Sequence, residues 1–159
     1  DRAPGAATGE LAPRARRQVT EVSFYTHAEQ KLTVARQLTA KAVARGLQVM
    51  IYAPDAALAD ALDVLLWTTP AQSFLPHCRD THPLAAATPV LIGERADTLA
   101  RADVMINLHH DRPPAFSRFQ RLLEIVGTDA EDIEHGRVRY RFYRERGYAL
   151  TNVDLRRAA

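Results

Sequence analysis

The sequence predicts a single α/β domain, a three-layer sandwich with a mainly parallel central sheet and helices on both faces. Two observations carry this. Short, nearly all-apolar runs alternate with stretches whose apolar residues recur at helical spacing, and the apolar runs lack the in–out alternation of a sheet with one wet face. The length of 159 residues suits one sizeable core, and the 47% apolar and 25% charged fractions are those of an ordinary globular chain.

Residues 1–18 stand apart. They are rich in Ala, Pro, Gly and Arg, with Leu11 as their one large aliphatic. Such a stretch buries too little surface to offset its ordering entropy, so it is expected to be a disordered arm, a cloning remnant or an upstream extension. The folded domain is expected over 19–152, with a short tail over 153–159.

Within the domain, Val19–Thr26 reads as a strand, with Val22 and Phe24 as its core face. Ala28–Arg45 reads as a helix, stopped by Gly46. Leu47–Ala53 is a second strand, and Asp55 caps a second helix that buries Leu58, Ala61, Leu62, Leu65 and Leu66 and stops before Pro70. Thr68–Ala87 is proline-rich and irregular. Val90–Ile92 and Val104–Leu108 are two more short strands. Pro113-Pro114 predicts a helix carrying Phe116, Phe119, Leu122 and Leu123, followed by a short strand at Glu124–Val126. The final helix spans about Asp129–Arg146, with a capping box from Thr128 and Glu131 and Gly147 at its stop.

A sheet of this kind invites a nucleotide site, but the turn after the first strand, Tyr25-Thr26-His27-Ala28-Glu29, has no glycine to let a backbone approach a pyrophosphate. No GxxxxGK[ST] or GxSxG sequence occurs. The architecture is thus Rossmann-like without a nucleotide site, and no cofactor is expected. Two clusters carry metal-ligand types: His77, Cys78 and His82, and His109, His110 and Asp111. Their spacing matches no standard motif, so His77 is read as satisfying loop hydrogen bonds and His109-His110 as capping a strand end. Cys78 with His77 or His82 as a base is the enzymatic alternative.

One lone cysteine excludes an internal disulfide framework and fits a reducing compartment. No apolar run approaches the roughly 20 residues that span a bilayer, and the N-terminal stretch given has no apolar secretory core. The formal charge of +2 does not describe a basic coat. Charge is instead local: from Arg137 to Ala159 there are seven arginines and two acids, a net of +5. Arg137, Arg141 and Arg144 fall at i, i+4, i+7 beside Tyr140, a face suited to carboxylates. The same arrangement also serves a helix dipole, because Asp129, Glu131, Asp132 and Glu134 precede the arginines. Direct single-stranded nucleic-acid binding is a third reading. A second distinctive stretch is Leu66 to His77, where Trp67 and the Phe74-Leu75 pair sit in turn-like sequence. These groups either plug the core or face a partner.

Taken in order, Val22-Ser-Phe-Tyr25, Trp67…Pro70…Ser73-Phe-Leu-Pro-His77, Pro89-Val-Leu-Ile92, Asp103-Val-Met-Ile-Asn-Leu108, Phe116-Ser-Arg-Phe119…Glu124-Ile-Val126 and Arg137…Arg139-Tyr-Arg141…Tyr143-Arg144…Gly147-Tyr148 resemble the DNA polymerase III chi subunit family over about Thr20 to Asn152. The resemblance implies a cytoplasmic, non-catalytic accessory subunit, monomeric or paired with its psi partner, that meets DNA only indirectly. It implies psi binding through Trp67 and Phe74, with Leu75 and Pro76 as neighbours. It further implies binding of the acidic, phenylalanine-ended tail of single-stranded DNA-binding protein by Arg137, Tyr140 and Arg141, with Val126 and Gly147 close by. Family members can carry a basic residue where this chain has Ile133, so the site is expected to rest on fewer cations, or on Arg139 or Arg144 instead.

Overall fold

The computed structural model describes residues 19–68, 75–95 and 101–157. The expectations for residues 1–18, for Phe74, and for the last two residues of the tail lie outside the described residues. The elements run in the order β1 (Glu21–Ala28), α1 (Lys31–Ala44), β2 (Val49–Tyr52), α2 (Ala56–Trp67), β3 (His77–Arg79), β4 (Val90–Gly93), β5 (Val104–Asn107), β6 (Arg121–Gly127), α3 (Ala130–Glu145) and β7 (Ala149–Asp154). Short 3₁₀ turns occur at Ala85–Ala87, Phe116–Arg118 and Leu155–Arg157.

Among the described residues, seven strands form one open sheet in the order β3-β4-β2-β5-β6-β1-β7. Every pairing is parallel. Successive strand residues point to opposite faces, and both faces are covered. Ile51, Ile92, Ile106 and Ile125 pack with Leu62 and Leu66 of α2 and Ala35 of α1. Phe24, Met50, Leu91, Met105 and Leu122 pack beneath Tyr143 of α3. This is the predicted α/β sandwich. It explains why β2, β4 and β5 read as unbroken apolar runs.

Local signals account for several boundaries. The Asp55 carboxylate accepts the N–H of Ala57 at 3.1 Å and starts α2. Gly46 (φ +78°) closes α1, with the Gly46 N–H on Val43 O and the Leu47 N–H on Ala42 O. β1 continues to Ala28, so α1 starts later than periodicity suggested.

Several readings are corrected, and the simplest is Ala61, which is exposed on α2. Phe116, Phe119, Leu122 and Leu123 do not share a helix: one 3₁₀ turn is followed by β6. Leu122 and Leu123 lie in the cores on opposite sheet faces, which is the two-residue period of a doubly buried strand. Thr128 and Glu131 do not cap α3. Asp129 occupies the cap position without a side-chain bond, while the Asp132 carboxylate accepts the Gly127 N–H at 2.6 Å. The irregular stretch contains β3, and a further strand, β7, follows α3 and runs past Asn152 to Asp154.

Candidate functional site

Helix α3 lies over β6, and its two flanks differ. On the β1 side, Ile133, Gly136, Arg137 and Tyr140 face the end of the sheet. Gly136 lets the helix approach closely, because a Cβ there would stand 2.9 Å from Val126 Cγ2. The result is a cavity of about 310 Å³ between α3 and the ends of β1, β6 and β7. Phe24, Val126, Ile133 and Gly136 give it an apolar floor, and Arg137, Tyr140, His27 and Asn152 give it a polar rim.

The Tyr140 ring stands edge-on to Phe24 at 5.2 Å, and its hydroxyl accepts from Asn152 Nδ2 at 3.3 Å. Arg137 is exposed and, among the described residues, makes one long contact, 3.7 Å to Glu134. His27 has φ +63°, unusual for a residue with a side chain, at the point where β1 slips register against β6. Its ring lies 3.2 Å from Asp154. A side-chain hydrogen bond from Arg156, then the Arg156 backbone N–H and nearby positive charge, hold the Asp154 carboxyl well below the usual range.

On its other flank, α3 is fastened by buried polar groups. Glu124, on β6, accepts from Arg139 Nε at 2.8 Å, Asn107 Nδ2 at 2.9 Å and the Tyr143 hydroxyl at 2.6 Å. Burial pushes Glu124 upward, and the Arg139 charge with the donated hydrogen bonds pulls the other way. Arg139 is therefore a structural cation inside the fold. It cannot substitute for a missing cation at the surface, as the sequence had allowed. Nothing in the repeated Arg-X-Arg pattern marked it as the buried member; only its register against β6 does.

The sequence-predicted residues divide clearly. Val126, Arg137 and Tyr140 gather at one cavity. Arg141 and Arg144 are exposed but do not line it. Gly147 (φ +83°) ends α3 and is exposed. Around the second stretch, Trp67 is 61% exposed and Pro76 is exposed, whereas Leu75 is 4% exposed and belongs to the core beneath α1 and α2. Leu75 thus plugs the core.

The two candidate chemistries also separate. The His77 ring is held by Leu75 O at 2.7 Å and Asp63 at 3.1 Å, with Trp67 edge-on at 5.2 Å. Cys78 packs against the core on the α3 side. Among the described residues, the metal-ligand types that converge are His109, His110 and Asp111. His109 is pushed downward by burial and by the neighbouring His110.

A family profile described as DNA polymerase III chi subunit, HolC, matches residues 19–151. The chain belongs to the DNA polymerase III chi subunit family. A Pseudomonas aeruginosa DNA polymerase III subunit chi is 32% identical over 143 residues, covering 87% of this chain and 99% of that protein. The Haemophilus influenzae subunit chi is 29% identical over 125 residues, covering 77% of this chain and 85% of that protein. The Escherichia coli subunit chi is 28% identical over 109 residues, or 68% and 74%. Family membership places the chain among the accessory proteins of DNA replication. The profile match runs from the residue before the buried Thr20 into β7, so all seven strands and the α3 cavity fall within it or at its edge.

Proposed function

We propose that this chain is a non-catalytic accessory subunit of a bacterial DNA polymerase III that links the psi subunit to the acidic C-terminal tail of single-stranded DNA-binding protein. The α3 cavity is the observation that carries the reading. Its apolar floor suits one aromatic ring, and Arg137 stands at the rim where a terminal carboxylate would lie. Ile133 contributes apolar wall where relatives can place a cation. Tail binding here therefore rests more on the buried ring and on Arg137, with Arg141 and Arg144 attracting the acidic residues upstream.

Charge-assisted hydrogen bonds contribute about 1.5–3 kcal/mol each. A flexible tail loses ordering entropy on docking, so affinity of about micromolar strength is expected, falling with salt. Weak contact is useful, because several tails on one DNA-bound oligomer raise the effective concentration. Psi is assigned to the surface around Trp67 and Pro76, with Phe74 as its further anchor and Leu75 supporting from the core. Direct binding of nucleic acid is disfavoured by Glu131 and Glu134 on the same helix as the arginines.

Calorimetry with an acidic peptide ending in Phe tests the tail site. Arg137→Ala should weaken binding about tenfold, the equivalent of about 1.4 kcal/mol. Equal binding by parent and variant ends the assignment. For psi, Trp67→Ala should abolish co-purification while leaving the unfolding midpoint unchanged.

A further inference from the structure

We propose that the turn after β5 is a binding site for a divalent transition-metal ion, ligated by the imidazoles of His109 and His110 and the carboxylate of Asp111. The three ligand atoms lie within 4.8 Å of one another. His109 Nε2 and His110 Nε2 each stand 3.7 Å from the same oxygen, Asp111 Oδ2. Ligands about 2.1 Å from a tetrahedral zinc ion are about 3.4 Å apart, so small side-chain rotations close the set.

The turn is built. Two buried side chains, Asn107 and Arg139, pin three successive residues by their backbones. Asn107 Oδ1 accepts the His109 N–H at 2.9 Å, Arg139 Nη1 donates to His110 O at 2.6 Å, and Asn107 Nδ2 donates to Asp111 O at 3.1 Å. Rings orient the ligands as well. His109 is flanked by Tyr52 at 6.0 Å, and His110 lies between His109 at 4.1 Å and His135 of α3 at 4.8 Å. A loop whose backbone is fixed before the ion arrives loses less entropy on binding it than a free one.

The donor set decides the class of ion. Two imidazole nitrogens and one carboxylate suit Zn²⁺, Ni²⁺ or Cu²⁺, and not Mg²⁺ or Ca²⁺, which prefer oxygen. Three protein ligands leave a position open to water or to an outside carboxylate. The site is on the β5 side of α3, opposite the cavity, and Arg139 ties its backbone to that helix.

Calorimetric titration of the full chain with ZnCl₂, and separately with MgCl₂, tests this. The expected result is one Zn²⁺ per chain and no Mg²⁺. His109→Gln and His110→Gln should each weaken Zn²⁺ binding by roughly tenfold or more, and the exposed His82→Gln should leave it unchanged. Circular dichroism checks that the variants fold, and His110→Gln, at a half-exposed side chain, supplies the test if His109→Gln does not. Substituting Co²⁺ should give a visible spectrum of nitrogen and oxygen ligation. Failure of the wild-type chain to bind Zn²⁺ at about 100 µM overturns the site. So does full retention of binding in both histidine variants, or a cobalt–thiolate band that places the ion on Cys78.

Discussion

Arg139 reaches from α3 into the core and donates its Nε–H to Glu124 Oε1 at 2.8 Å, with 3% and 0% of the two side chains exposed. Glu124 sits in the middle of β6, the strand between β5 and β1. The pair, with Tyr143 and Asn107, therefore sets how α3 rides on the sheet and where its two flanks point. Arg139→Met leaves a buried carboxylate without its countercharge and should destabilise the domain by about 3–5 kcal/mol in urea unfolding. Replacing both partners by apolar residues should recover only part of that, because Asn107 and Tyr143 still need an acceptor. Equal stability of Arg139→Met and the parent chain would contradict this account.

Tyr143 supplies a pH dependence with a defined sign. Burial and the adjacent Glu124 carboxylate raise its hydroxyl far above the ordinary value of about 10. Its contribution to stability is fully present below pH ~10, where the unfolded chain also keeps the proton. Above that, the unfolded chain loses the proton and the folded chain keeps it, so stability falls with pH by up to about 1.4 kcal/mol per unit. Urea unfolding between pH 8 and 11 should show a shallower decline for Tyr143→Phe than for the parent. Identical slopes would mean that Tyr143 titrates normally.

The parts of this fold that were legible in the sequence are those that one physical rule determines. β2, β4 and β5 are buried on both faces, and their unbroken apolar runs said so. Asp55 and Gly46 marked helix ends through local bonding. What failed depended on tertiary placement. Leu122 and Leu123 fit a helical spacing as well as a strand, and only the opposite faces they occupy decide it. β7 is an edge strand with exposed Thr151 and Asn152, so no hydrophobic pattern announced it. At the site, Arg137 and Tyr140 were readable from helical spacing and family resemblance. Arg139 was not, since two residues along a helix exchange the solvent for the core.

Gly93 should tolerate no side chain. Its φ is +152°, and an added Cβ would overlap the Asp80 carboxyl group. That carboxylate accepts the N–H groups of Glu94 at 2.9 Å and Arg95 at 2.7 Å. Gly93→Ala must therefore strain the backbone and displace the acceptor of two bonds at the end of β4. A loss of roughly 2–4 kcal/mol is expected in thermal or urea unfolding. Asp80→Ala, which removes the obstacle and the acceptor together, should make Gly93→Ala less costly in the double variant than in the single. Strict additivity would show that the two residues do not meet.

Gly136 sets two effects against each other. Gly→Ala within a helix gains about 1 kcal/mol from backbone propensity. Here the new methyl would stand 2.9 Å from Val126 Cγ2, on a branched side chain fixed in the sheet, and overpacking of this kind costs about 1–3 kcal/mol. The net is a loss of about 0–2 kcal/mol, so Gly136→Ala should stay folded with an unfolding midpoint unchanged or modestly lowered. The geometry changes in either case. Lifting α3 off β6 moves Tyr140 away from Phe24 and carries Arg137 with it, distorting the cavity they frame. Gly136→Ala should therefore bind the acidic, phenylalanine-ended peptide several-fold more weakly than the parent at a temperature where both are fully folded. If the peptide binds as before at that temperature, it docks elsewhere on the arginine-bearing helix, and Arg141 and Arg144 become the residues to substitute next.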